Sequence, residues 1–182
     1  MSSASKPTRT ARTKLAPVKM LVLDVDGVLT DGRLYYGADG ETLKVFNTLD
    51  GHGLKMLAAS GVASAIISGR KSNALARRAK DLGIEHLQMG VADKGAAYCT
   101  LLKRSSLRED QIVAIGDDVV DLPILLRCAW SVAVPNAPAD VTARVDMVTR
   151  ARGGEGAVRE LCEFIMRAQG TYDGILAGYI AG

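Results

Sequence analysis

The chain has 182 residues, enough for one domain with a full hydrophobic core. It is 48 % apolar, 24 % charged and only 4 % aromatic, so that core must be aliphatic. No apolar run reaches the roughly eighteen residues of a helical membrane span. The net charge of +3 is confined to the first 17 residues, where Lys6, Arg9, Arg12 and Lys14 meet no acid, and the remainder is slightly acidic.

Residues 1–17 lack an apolar stretch and are not a secretory signal. A disordered basic leader is expected, rather than a transit peptide or a nucleic-acid arm, for which aromatic residues are missing. From Met20 the run "MLVLD" reads as a strand that carries Asp24 and Asp26 to its tip, with Gly27 directly behind. The next segment, "RLYYGADGETLKVFNTLDG", breaks the pattern. Its arms "LYY" and "ETLKVF" predict a hairpin over the C-terminal edge of a sheet. The stretch "GHGLKMLAAS" predicts a helix stopped at Gly61, and residues 62–68 a second strand. In "SNALARRAKDLG", Leu75, Ala79 and Leu82 share one helical face that ends at Gly83. Residues 84–90 form a weaker strand, followed by the helix "KGAAYCTLLKRS". Strands at 111–118 and 130–134 bracket the short helix "LPILLRCA". The last helix, "GAVRELCEFIMRAQG", puts Val158, Leu161, Cys162 and Ile165 on one stripe.

The strands are short continuous apolar runs, as expected for strands buried on both faces. Their alternation with helices predicts an α/β, Rossmann-like three-layer sandwich around a parallel sheet, as one domain over residues 18–170. The glycine-rich tail, residues 171–182, is expected to be flexible or to tuck into a neighbouring subunit's site. Cys99, Cys128 and Cys162 show neither metal-ligand nor disulfide spacing, so buried thiols in a reducing cytoplasm are expected.

In such a sheet, ligands bind beyond the C-terminal strand ends. Four groups converge there: Asp24 and Asp26; Ser68, Gly69 and Arg70; Lys94; and Asp117, Asp118 and Asp121. Taken singly, each has a plain explanation: a helix cap, a turn or a surface lysine. Together, clustered carboxylates need a cation, and oxygen-only ligands favour Mg²⁺. A hydroxyl, an ammonium and a helix N-terminus suit phosphate oxygens. The set reads as Mg²⁺-dependent phosphoryl transfer through an aspartyl-phosphate.

These residues resemble the haloacid dehalogenase-like phosphatase superfamily: "DVDGVLTDG", "SGR", Lys94 and "GDDVVD" match its four motifs. Further segments, "VFNTLDGHGLKML", "IISGRKSNALARRAKDLGI", "ADKGAAYCTLL" and "GGEGAVRELCEFIMRAQG", are similar to the capless 3-deoxy-D-manno-octulosonate 8-phosphate phosphatase family. The resemblance implies that Asp24 is the nucleophile and Asp26 the general acid/base. It also implies Mg²⁺ held by Asp24, Asp117 and the backbone carbonyl of Asp26, with Ser68 and Lys94 on the phosphoryl group. Gly27, Gly69, Asp118 and Asp121 would support these. Substrate would meet Asn47, Thr48, Leu49, Asp50, Gly51, Lys55, Lys94, Arg70 and Arg78, with Arg78 reaching across a subunit interface. The family's homotetramer would use the hairpin residues Leu34, Tyr36, Leu43 and Val45, unless the hairpin packs on its own domain.

Arg70 favours the octulosonate substrate over the related 2-keto-3-deoxy-nonulosonate 9-phosphate, whose phosphatases carry glutamate there. Lys55 and Glu155 depart from arginines common in the family, and Lys55 loses the planar fork. Glu155 either weakens anion binding or simply favours the N-terminus of the last helix. His52 is placed near the site in a packing or substrate-facing role, and His86 at a core or edge position. Two other classes remain. A receiver-type signalling domain would use an aspartate after the third strand, here Asp93. A nucleotide-sugar glycosyltransferase would use "DVD" for metal but leave the other motifs unexplained.

Overall fold

The structure is a computed structural model, and it describes residues 7–38 and 40–181. Thus the first six residues of the leader and Asp39 of the expected "GADG" turn lie outside the described residues. In chain order the regular elements are α1 (Arg9–Leu15), β1 (Met20–Leu23), β2 (Tyr35–Gly37), β3 (Gly40–Leu43), α2 (Thr48–Ala59), β4 (Ala63–Ser68), α3 (Asn73–Leu82) and β5 (His86–Met89). They continue with α4 (Lys94–Ser105), β6 (Ile112–Gly116), α5 (Leu122–Leu125), β7 (Trp130–Ala133), α6 (Ala139–Thr142), β8 (Met147–Val148), α7 (Ala157–Gln169) and α8 (Tyr172–Ile180).

Six strands form one parallel sheet in the order β5-β4-β1-β6-β7-β8, while β2 and β3 make the separate antiparallel hairpin. Alternation along the strands divides the core. Leu21, Leu23, Ile66, Val113 and Ile115 face a layer that includes Leu15, Leu57, Leu75 and Leu161. Met20, Val22, Ile67, Ile112 and Ala114 face Tyr98, Leu101, Ile124 and Val141 on the opposite side. Both faces of the central strands are therefore covered, which explains their uninterrupted apolar sequence.

The chain leaves β1 toward β4 on one side and later returns to β6 on the other. The order reverses at β1, the place where doubly wound sheets bind ligands. Leu23 is in register with Ile66 of β4 and Ile115 of β6, so residues just beyond these pairs share one edge.

The structure differs from the expected elements in several places. Residues 9–15 of the leader are helical: Thr8 caps α1, and Ala11 and Leu15 are buried against the sheet. Two apolar residues at i and i+4 form a small docking face, too short to register as a periodic pattern. The C-terminal tail contains α8, with Tyr172 buried and Leu176, Tyr179 and Ile180 exposed. The sheet also has a sixth strand, β8, whose two residues are too few to show any period. Among the cysteines only Cys162 is fully buried; Cys99 and Cys128 are half-buried, and all three are free thiols.

Candidate active site

Asp24 follows directly on β1, and its backbone N–H donates to the Ile115 carbonyl at 3.1 Å, pinning the tip of β1 to β6. The next turn is fastened by Thr30. Its buried hydroxyl accepts N–H bonds from Gly27 and Gly32 at 3.3 and 3.2 Å. Gly27 has φ +101°, and any Cβ there would collide with the Asp117 carboxylate. Glycine thus serves both the turn and the close approach of the β1 and β6 loops.

Lys94, at the first position of α4, is buried and joins the two loops. Its ammonium donates to Asp24 Oδ1 at 2.6 Å and to Asp121 Oδ1 at 2.5 Å. Asp121 Oδ2 accepts the backbone N–H groups of Asp117 and Asp118 at 3.1 and 3.3 Å. Asp121 is thereby committed to shaping the loop after β6. Asp118 is exposed and caps the following 3₁₀ turn through the Val119 N–H at 2.7 Å.

Carboxylate oxygens of Asp24, Asp117 and Asp121 all lie within 4.8 Å of one another. Burial, with the charge of Asp121, pushes Asp24 up to about 6 despite Lys94. Burial and the charges of Asp24 and Asp121 push Asp117 up to about 8. Burial opposes the Lys94 charge, but Asp24 and Asp121 outweigh it and raise its pKa. One ammonium against three crowded carboxylates leaves excess negative charge, and an all-oxygen donor set of this kind fits a hard divalent cation such as Mg²⁺. The Asp26 side chain is not in this cluster; its expected metal contact is through the backbone.

Ser68, the last residue of β4, is buried at the same edge, and its hydroxyl accepts the Arg70 N–H at 3.3 Å. Asp26 instead turns toward the hairpin, where its Oδ1 pairs with the Lys44 ammonium. Lys44 also lies 3.5 Å from Glu41, whose other oxygen accepts Arg70 Nη2 at 2.9 Å; the same nitrogen donates to Tyr36 Oη at 2.8 Å. Lys44 and Glu41 were not among the expected site residues. Both lie in the arm "ETLKVF", where the available signal is an acidic and a basic residue three apart in the segment that overhangs the edge.

The expected substrate residues divide. Asn47 caps α2, and Thr48 and Leu49 open that helix with exposed side chains. Asp50, expected to face substrate, is 1 % exposed and accepts the Gly156 and Arg159 N–H groups at 3.3 and 2.8 Å. It therefore ties α2 to the start of α7. Gly51 is where any Cβ would strike the Arg78 guanidinium. Arg78 donates to the Asn47 carbonyl at 3.4 Å and lies 6.0 Å from the Phe46 ring centroid, within its own chain. Lys55 is exposed on α2, and Gly69 lies between Ser68 and Arg70. Glu155 is exposed one residue before the cap of α7. His52 packs edge-on against Tyr179 of α8, centroids 5.3 Å apart. Asp93, the residue a receiver domain would use, caps α4 through the Ala96 N–H at 3.0 Å and is exposed.

The arrangement sets the buried Asp24 carboxylate against the Lys94 ammonium, with the Ser68 hydroxyl and further carboxylates at the same edge, groups of the kind that phosphoryl transfer through a covalent intermediate uses. A family model for haloacid dehalogenase-like hydrolases matches residues 90–161. The 3-deoxy-D-manno-octulosonate 8-phosphate phosphatase of Yersinia pestis is 43 % identical over 161 residues, covering 88 % of this chain and 86 % of that protein. The crystal structure of a probable YrbI family phosphatase from Pseudomonas syringae pv. phaseolica superposes with a TM-score of 0.93. It is 48 % identical, and the match covers 96 % of this chain and 99 % of the other. The Moraxella catarrhalis 3-deoxy-D-manno-octulosonate 8-phosphate phosphatase, solved with magnesium, phosphate and KDO, gives a TM-score of 0.89 at 39 % identity. That match covers 92 % and 97 % of the two chains.

Proposed function

Because this chain belongs to the 3-deoxy-D-manno-octulosonate 8-phosphate phosphatase family of haloacid dehalogenase-like hydrolases, and is a phosphatase, we propose that it hydrolyses 3-deoxy-D-manno-octulosonate 8-phosphate to the free sugar acid and phosphate. This is a step toward a lipopolysaccharide precursor. The observation that carries the chemistry is the Asp24–Lys94–Asp121 bridge at the β1 edge, with Asp117 in the same cluster.

Asp24 attacks phosphorus and forms an aspartyl-phosphate, while Asp26 gives a proton to the departing sugar oxygen. Asp26 then takes a proton from the water that attacks the same phosphorus, releasing phosphate and restoring Asp24. Ser68 and Lys94 hold the phosphoryl oxygens. A Mg²⁺ ion held by Asp24, Asp117 and the Asp26 carbonyl would supply charge neutralisation. Arg70 recognises the substrate carboxylate, assisted by Lys55 and Arg78. The exposed hairpin residues Leu34, Tyr36, Leu43 and Val45 support a homotetramer whose neighbouring subunit completes the site. Three free cysteines support a cytoplasmic setting.

The test is phosphate release from a panel that includes the octulosonate 8-phosphate and a nonulosonate 9-phosphate, with Mg²⁺ and with EDTA. The octulosonate ester is expected to give the highest kcat/KM, and EDTA and Asp24→Asn to abolish turnover. Hydrolysis by Asp24→Asn at the wild-type rate would refute the mechanism.

A further inference from the structure

We propose that Lys44 is a positioning residue for Asp26: by holding Oδ1, it leaves Oδ2 as the oxygen that exchanges protons with the leaving group. The inference rests on the reading of Asp26 as the acid/base. Lys44 comes from the hairpin, 18 residues along the chain from Asp26, yet its side chain is only 4 % exposed. Lysine is almost never buried this deeply without a partner. Here the partner is the one catalytic carboxylate that Lys94 does not touch.

Lys44 is itself held in place. Glu41 lies behind it at 3.5 Å and is anchored by Arg70 at 2.9 Å, so charges alternate from Asp26 through Lys44 and Glu41 to Arg70. Both ends of this series belong to the sheet edge, and both middle members belong to the hairpin. A carboxyl without such a partner rotates among rotamers and presents either oxygen. An ammonium donates to Oδ1 whether or not Oδ2 carries a proton, so the contact survives both halves of the reaction. In the first half the P–O electron pair leaves with the sugar oxygen, which takes the Oδ2 proton. In the second, Oδ2 accepts a proton from water.

The experiment compares wild type, Lys44→Met, Lys44→Arg and Asp26→Asn on two substrates. The octulosonate 8-phosphate has an alkoxide leaving group that needs a proton. p-Nitrophenyl phosphate has a phenolate that leaves without one. The readout is kcat/KM, which covers steps through departure of the leaving group. Lys44→Met is expected to lose about 10- to 100-fold on the sugar phosphate and less than about 3-fold on the aryl ester. Lys44→Arg should recover most of the loss, and competitive inhibition by inorganic phosphate should stay unchanged. Equal losses on both substrates, no loss, or weakened phosphate inhibition would overturn the proposal. If Asp26→Asn shows the leaving-group split and Lys44→Met does not, only the positioning role fails. If Asp26→Asn shows no split, the acid/base reading fails and the proposal with it. Should Lys44→Met not fold, Lys44→Ala, which also removes the donor and leaves less bulk in the site, carries the same comparison.

Discussion

Asp24 and Asp117 meet the free protein with carboxyls at about 6 and about 8, against an ordinary value of 3.8. An acid whose folded pKa is raised binds more protons in the folded than in the unfolded state between the two values, so stability falls as pH rises through that window. Metal-free protein should therefore lose thermal stability between about pH 4 and about pH 8. A metal needs the ionised ligands, so Mg²⁺ affinity should rise over the upper part of the same range. Thermal melts with and without Mg²⁺ across this range check both signs; a Mg²⁺-induced shift that shrinks with rising pH would contradict them. Asp50 makes a different residue-scale prediction. Burial pushes its carboxyl up, while the N–H groups at the start of α7 act the other way. Asp50→Ala leaves those donors without a partner and should cost about 1–3 kcal/mol in denaturant unfolding, with Asp50→Asn milder. If Asp50 instead contacts substrate, KM will move and stability will not.

Helix α1 shows how a weak local pattern becomes part of a core. Leu15 is fully buried, and Gln169 at the end of α7 donates to the Leu15 and Val18 carbonyls at 2.9 and 3.0 Å. Leu15→Ala should lower stability by about 2–5 kcal/mol, as for other buried leucines. A disordered leader would show no change. The hairpin is the opposite case: its Tyr36, Leu43 and Val45 are more than half exposed. Its ties to the sheet edge run through Lys44, Glu41 and Tyr36 rather than through an apolar face. Such an element is expected to bury its apolar side chains against other subunits. If the proposed homotetramer forms through this hairpin, Leu43→Asp should reduce the solution mass measured by light scattering toward smaller species. A wild-type protein that is active as a monomer would remove the shared-site proposal.

At the scale of the molecule, Mg²⁺ that binds only the folded state stabilises it by RT ln(1 + [Mg²⁺]/Kd), about 2.7 kcal/mol at a hundredfold excess over Kd. A Tm that climbs with Mg²⁺, and climbs less in Asp117→Ala, checks that the cluster holds the ion. The parallel sheet was legible in the sequence because its central strands are apolar on both faces and the helices between them carry clear stripes. The polar groups of the candidate site were legible because each sits at or just beyond a strand end or at a helix start, positions that local sequence marks. Other features depended on contacts between distant segments. The order β5-β4-β1-β6-β7-β8 brings Asp24 beside Asp117. The separation of 106 positions between Asp50 and Gly156 hid a cap that looks like a ligand residue. Helix α1, strand β8 and the Lys44–Asp26 pair were equally hidden, because each is short or long-range. The sequence by itself determined the strand–helix alternation and the identity of the chemical groups, since both follow from local periodicity and residue type. Only the tertiary structure decided which charges meet, because burial and pairing are properties of residues that the chain brings together from far apart.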